Sequence, residues 1–263
     1  MAVEFEKMRF WDAYGVAEFI RQSLEENPDD ETFDSYFDLS DTELLHRCIE
    51  PSRWTLLHHF IRDRYVESHV VGFEHHRDDM RDLIIDEYAT VLRGYDIPVP
   101  HYDLPAEKSD DYEIYSEKII SELRGLLPIG RIVCETFQLL FANRLLLKTF
   151  NESVANVVRT LKLEEHPDIL ERNGMLRRAY LPTWAKRGIF YRDQGRCVLC
   201  GKDLTGTVVT GEELAYDHIV PLAAGGTNDP TNFQLLCRGC NSSKDRRIIT
   251  SDRYSVYWSI DFT

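Results

Sequence analysis

The stretch CVLCGKDLTGTVVTGEELAYDHIVPLAAGGTNDPTNFQLLCRGCNSSK, residues 197–244, begins with one C-x-x-C pair and carries a second, Cys237/Cys240, near its end. Two such pairs separated by 36 residues, the first followed by Gly201, have the form of two knuckles sharing one tetrahedral zinc ion. Thiolates bind zinc tightly, and a structural site of this kind supplies on the order of 10 kcal/mol to a domain whose own core is thin. The enclosed loop, rich in Gly, Thr and Asn, is such a case. A closed four-thiolate site keeps no coordination position open, so Cys197, Cys200, Cys237 and Cys240 hold structure and do no chemistry.

The clamp encloses, in order, Asp217-His218-Ile219-Val220-Pro221, Gly225-Gly226, Asn232 and Leu236-Cys237-Arg238-Gly239-Cys240-Asn241. A lone Asp-His pair carries no weight, whereas the joint pattern DHIxP, GG, Asn, LCxxCN is specific. Over residues 185–248 it resembles the HNH endonuclease family. The resemblance implies a ββα-metal fold of two strands and a helix, and hydrolysis of nucleic-acid phosphodiesters to a 5′ phosphate and a 3′ hydroxyl. It also implies that Asn232 ties the long loop and that a backbone carbonyl orients the second ring nitrogen of His218.

Chemistry assigns compatible roles. Phosphodiester hydrolysis needs an attacking water, a base to take its proton and a cation to stabilise developing charge. His218, with an ordinary pKa of about 6.5, is the base available at neutral pH. Asp217 offers a hard oxygen suited to Mg²⁺ or Mn²⁺, and Asn241, beside the last cysteine, a second. Adjacent side chains of a strand point to opposite faces, so Asp217 and His218 serve one site only if the strand ends or bends there. The expected catalytic set is therefore Asp217, His218, Asn232 and Asn241, with structural zinc and catalytic magnesium or manganese as cofactors.

Outside the motif, Lys244, Arg246 and Arg247 are read on the same short helix as Asn241 and as phosphate contacts. Arg177, Arg178, Lys186, Arg187, Arg192 and Arg196, interleaved with Tyr180, Trp184, Phe190 and Tyr191, read as a basic approach surface. Residues 176–263 hold 12 Lys and Arg against 9 Asp and Glu, whereas the preceding 175 residues carry a net charge of −17. That asymmetry predicts two domains, 1–175 and 176–263, of which only the second suits phosphate.

Residues 1–175 read as mainly helical. Trp54, Leu57, Ile61 and Tyr65 mark one stripe, and Met80, Ile84, Tyr88 and Val91 a second that ends at Gly94. Tyr112, Tyr115, Ile119 and Leu123 mark a third. Ser40 and Glu43 form a capping box, 25–38 an acidic loop, and the proline-rich 95–109 a connector. Strict alternation over 253–262 predicts a strand that docks. Cys48 and Cys134 read as buried free thiols, and His58/His59 and His75/His76 as polar helix faces rather than a second metal site.

The 263 residues, 43% hydrophobic and 11% aromatic, suffice for real cores. No run approaches the roughly 20 apolar residues of a membrane span, and no export signal is seen, so a cytoplasmic protein is expected. The partner expected is DNA, with RNA open as a substrate. The acidic region is expected to be regulatory or to bind a protein partner or a second copy, as in defence or restriction effectors. The competing reading is a non-catalytic zinc module that binds nucleic acid or protein.

Overall fold

The computed structural model describes residues 8–26, 42–71, 77–103, 110–208 and 214–254. Among the described residues seven α-helices come first: α1 (Ala13–Glu26), α2 (Thr42–Ile49), α3 (Leu56–Val66), α4 (Arg77–Gly94), α5 (Asp110–Leu126), α6 (Ile129–Phe141) and α7 (Arg144–Val158). They are followed by a small hairpin, β1 (Leu170–Arg172) and β2 (Met175–Leu176), then α8 (Thr183–Arg192), β3 (Leu214–His218), β4 (Phe233–Cys237) and α9 (Arg238–Lys244). The chain is mainly helical with a small ββα element near its end, as the sequence predicts. Among the described residues no helix is long and apolar enough to cross a membrane. Ser40, most of the acidic loop, His75/His76 and the alternating segment after Tyr254 lie outside the described residues.

The chain divides into two compact units, residues 1–20 with 60–139 and residues 21–59 with 140–263. The unit that holds the motif also takes in α2, a much earlier element. In the first unit Ile84, Ile85, Tyr88 and Leu92 of α4 and Ile119, Ile120 and Leu123 of α5 are buried. Tyr115 is half exposed, so the buried stripe of α5 is rotated past it to Ser116, Ile119 and Ile120. The buried Glu135 carboxylate accepts the amides of Arg9 and Phe10, each at 2.8 Å, and the Tyr95 hydroxyl at 3.1 Å. Burial raises its pKa, but these donors outweigh it and hold the carboxyl below its ordinary value.

In the second unit β3 and β4 pair antiparallel, with Leu214 opposite Cys237 and His218 opposite Phe233. β4 is buried along its whole length and packs on α8 through Ala185, Ile189, Val198, Leu204 and Leu235. The loop joining the strands is forced by its glycines. Gly225 has φ +86°, and a Cβ on Gly226 would lie 1.9 Å from the Val220 carbonyl oxygen. Helix α7, capped by the Asn143 side chain on the Leu146 amide at 3.1 Å, backs this loop through Asn151, whose amide reaches Thr231 Oγ1 at 3.3 Å.

The early segment meets the same loop. The Asn228 amide donates to the Cys48 carbonyl at 2.9 Å, and its side-chain Nδ2 donates to the Ile49 carbonyl at 2.9 Å. Asp229, fully buried, accepts the Leu56 amide at 2.9 Å at the start of α3, and also the amide and hydroxyl of Thr231. Burial pushes the Asp229 carboxyl up, against the pull of these donors. Cys48 is a buried free thiol as expected, whereas Cys134 is only partly covered.

Candidate zinc clamp and active site

The four cysteines converge. Their sulfurs all lie within 4.8 Å of one another, with Cys200 Sγ and Cys237 Sγ 3.8 Å apart. Zn–S bonds of about 2.3 Å in a tetrahedron set sulfur–sulfur edges of about 3.8 Å, the spacing of the Cys200–Cys237 pair, so the cluster suits a zinc ion. Local backbone builds each half. Gly201 at φ +74° turns the chain so that its amide donates to the Cys197 carbonyl at 2.8 Å. On the other side Cys237 ends β4 and caps α9, its sulfur accepting the Cys240 amide at 3.4 Å. Burial pushes the Cys197 thiol up, but the amides of Cys237, Cys200 and Leu199 outweigh it and bring it down to about 7. Cys240 is pushed up by burial and by its neighbouring thiols. Four sulfurs this close compete to stay protonated, and a divalent cation removes that conflict. Among the described residues this is the only cluster of metal-ligating side chains.

His218 ends β3 and is 2% exposed, its ring tilted against Phe233 at a centroid distance of 4.2 Å. Burial, with the charges of Arg178 and Lys244 nearby, lowers its pKa to about 3, against a weaker opposing pull from Asn228. The ring's partner is a side chain, where the resemblance implies a backbone carbonyl: Nε2 lies 3.4 Å from Asn228 Oδ1. Asn228 spends both Nδ2 protons on the carbonyls of Ile49 and Arg177, at 2.9 and 2.8 Å, and its Oδ1 also accepts the Ala179 amide at 3.2 Å. Its oxygen therefore faces the imidazole. Nε2 must be the protonated nitrogen, which leaves the lone pair on Nδ1.

β3 ends at His218, the condition under which Asp217 and His218 can serve one site, and Lys244 meets the carboxylate of the first and the backbone of the second. Its ammonium lies 2.8 Å from Asp217 Oδ2 and donates to the His218 carbonyl at 2.8 Å. The Asp217 contact is an ion pair that gives Oδ2 a cationic partner. Lys244 is 1% exposed, so it is an interior cation and not a phosphate contact. Asn241 stands one turn earlier on α9, on the face that Lys244 uses to reach Asp217. Asn232 is fully buried and ties the loop with three side-chain bonds, accepting the Val220 amide at 2.9 Å and donating to the carbonyls of Val220 and Thr227 at 3.0 and 2.9 Å. Asn232→Ala strands three buried backbone groups and is expected to cost about 3–6 kcal/mol at roughly 1–2 kcal/mol each, measured by urea unfolding.

The basic surface divides. Arg177, Arg178 and Arg187 are exposed, and half-buried Lys186 holds its ammonium 4.8 Å from the Tyr180 ring centre, with Tyr180 itself 74% exposed. Arg192 leaves the set: it is buried, gripping Asp193 with two 2.9 Å bonds. Arg246 and Arg247 are exposed but follow α9 instead of lying on it, because Asp245 at φ +48° ends the helix. The segment Gly225-Gly226-Thr227-Asn228 belongs to the ordered motif, but sequence reasoning gave Asn228 no role of its own and did not single out Asp229.

These features define a ββα module stapled by a four-cysteine metal clamp. Residues 197–247 match the family model described as HNH endonuclease, which makes this part of the chain a nuclease-type or nucleic-acid-binding module. Comparison with curated proteins and with solved structures gave no match.

The buried histidines carry a pH dependence. His58 is held like His218: burial, with the charges of His59 and Arg47, lowers its pKa to about 3. Unfolded, both histidines take a proton near pH 6.5; folded, they refuse it until about pH 3. Their contribution to stability is full above pH 6.5 and falls on acidification through that window, by about 2.7 kcal/mol per pH unit for the pair. Asp229, whose carboxyl is raised, works in the opposite sense but is a single group. Thermal melts from pH 7.5 to 4.5 should show a steady loss, with about half the slope in His58→Gln.

Proposed function

We propose that the module is a metal-dependent endonuclease that hydrolyses DNA phosphodiester bonds, with His218 as general base. The observation that carries this reading is the placement of His218 in the matched segment: it ends β3 directly after Asp217, with Nε2 3.4 Å from Asn228 Oδ1. Asp217 Oδ2, now facing the Lys244 ammonium at 2.8 Å, and the Asn241 side chain are hard oxygens of the kind that hold Mg²⁺ or Mn²⁺. The bound ion would supply positive charge against the phosphorane and the departing oxygen. Asn232 holds the loop that carries His218, and Lys244 holds the end of β3. Arg177, Arg178, Lys186, Arg187, Arg246 and Arg247 meet the strand. In this reading the acidic helical part of the chain regulates the module or recruits a partner to it, and the setting is a defence or restriction system in the cytoplasm.

A second reading, a zinc module that binds nucleic acid or protein without cutting, draws on a specific observation. His218 is 2% exposed and Asp217 already faces the Lys244 ammonium. Incubation of the full chain with supercoiled plasmid, linear duplex, single-stranded DNA and RNA, with Mg²⁺, Mn²⁺ or chelator, separates the two. The nuclease reading expects metal-dependent nicking of DNA; binding with no cleavage under any condition selects the second.

A further inference from the structure

Beside the first zinc knuckle, buried positive charge exceeds the carboxylate that serves it. Arg144, at the start of α7, is 2% exposed and Arg192, at the end of α8, is 9% exposed. Both depend on Asp193, also buried: Arg192 grips it twice at 2.9 Å, and Arg144 Nη1 stands 3.6 Å from Oδ1. Asp193 also accepts the Leu235 amide at 2.8 Å, so its oxygens are spent. Arg144 further donates to the Arg253 carbonyl, and Tyr254 lies against its guanidinium at 3.8 Å. Among the described residues Arg144 Nε and Arg192 Nη1 have no hydrogen-bond partner. A guanidinium cannot shed its proton, and a buried charge without full compensation costs several kcal/mol. Two cations on one anion leave an interior charge of one unit to be met.

A cavity of about 260 Å³ opens at this place, lined by Arg144, Asp193, Gln194, Arg196, Arg253 and Tyr254 and by the knuckle backbone. It has room for roughly nine waters at about 30 Å³ each, well beyond a single small ion. At its rim Arg196 donates to the Gly201 carbonyl at 3.2 Å and has the half-exposed Asp203 as its carboxylate partner at 3.3 Å, and among the described residues no carboxylate pairs with Arg253. Arginine forks match phosphate oxygens geometrically as well as electrostatically.

We propose that this cavity is a phosphate-binding site for a phosphomonoester carried on a nucleotide, separate from the Asp217/His218 site. The interior charge on Arg144 supplies the attraction, and Arg196 and Arg253 close on the phosphate from the rim. The proposal does not depend on cleavage, because the buried arginines and the cavity stand whether or not the module cuts. The ligand is either a free mononucleotide or the phosphorylated end of a strand, which share this chemistry.

The test uses the zinc-loaded full chain at low salt, without magnesium, in calorimetric titrations. The probes are inorganic phosphate, dAMP, and short single strands bearing a 5′ phosphate or a 5′ hydroxyl. Arg196→Ala and Arg253→Ala lie on the rim and are expected to fold, which unchanged melting checks. Binding of dAMP that weakens about tenfold in each variant supports the site with a free nucleotide as ligand. A preference for the 5′-phosphorylated strand over its hydroxyl counterpart, lost in both variants, supports it with a strand end. If the parent binds none of the phosphate-bearing probes at millimolar concentration, or if both variants bind them as the parent does, the proposal is overturned. Cleavage activity enters none of these readouts, so failure here leaves the nuclease reading intact, and the reverse.

Discussion

His218→Ala is expected to lower metal-dependent DNA cleavage by about 10²–10⁴-fold, the range that a positioned general base contributes. The loss should come with an unchanged zinc content, because the ring lies outside the sulfur cluster. The ring also packs against Phe233 at 4.2 Å and is 2% exposed, so its removal opens a cavity as well. His218→Gln fills part of that space and cannot act as a base at neutral pH. It should cut as poorly as the alanine variant while melting closer to the parent. Parent-like cleavage by either variant would remove His218 from the mechanism. Asn228→Ala supplies a second readout: losing the oxygen that faces Nε2 frees the tautomer, so activity should drop while the metal dependence stays the same.

Removal of the clamp is expected to have the largest effect on structure. Cys237 is at once a sulfur of the cluster, the last residue of β4 and the cap of α9. Structural zinc sites contribute about 10–16 kcal/mol in small domains, which matches or exceeds the 5–15 kcal/mol by which whole proteins are stable. Cys237→Ser, or treatment with a strong chelator, should therefore unfold the β3–β4–α9 element. Lost amide protection over residues 214–244 and near-stoichiometric zinc release, measured together, would show it. Full protection after complete zinc removal would show that the hydrophobic packing of β4 on α8 is sufficient alone. Cys200→Ser should do less harm, since Cys200 is exposed and belongs to neither β4 nor α9.

Much of the candidate site was legible because its geometry is local. The two C-x-x-C pairs form knuckles through contacts within five residues, such as the Gly201 amide on the Cys197 carbonyl. Gly226 is required by backbone crowding at Val220, only six residues away, whereas a Cβ on Gly225 would meet the Ala155 carbonyl oxygen of α7 at 2.7 Å. Asn232 closes a loop with partners five and twelve residues distant. Helical stripes were readable for the same reason, although the face of α5 was set by its packing on α4 and turned away from Tyr115.

Charge was the poorer guide. A lysine after a C-x-x-C-N pattern reads as surface, yet Lys244 is interior because Asp217 and the His218 carbonyl, 26 residues away, give it partners. Arg192 is interior because Asp193 beside it is buried with it. The charge contrast likewise holds no record of the contact between Asn228 of the motif loop and the Ile49 carbonyl at the end of α2.

From the sequence alone came the clamp, the order of Asp217, His218, Asn232 and Asn241, and the helical character of what precedes them, because each rests on short-range spacing that constrains the chain directly. Only the tertiary structure decided which side chain faces the His218 ring, where Lys244 points, and where buried charge lacks an anion. Those depend on Asn228 reaching Ile49 across 179 residues and Asp229 reaching Leu56 across 173. Burial converts such distant pairings into shifted proton affinities and unmet charge, and no local pattern records them.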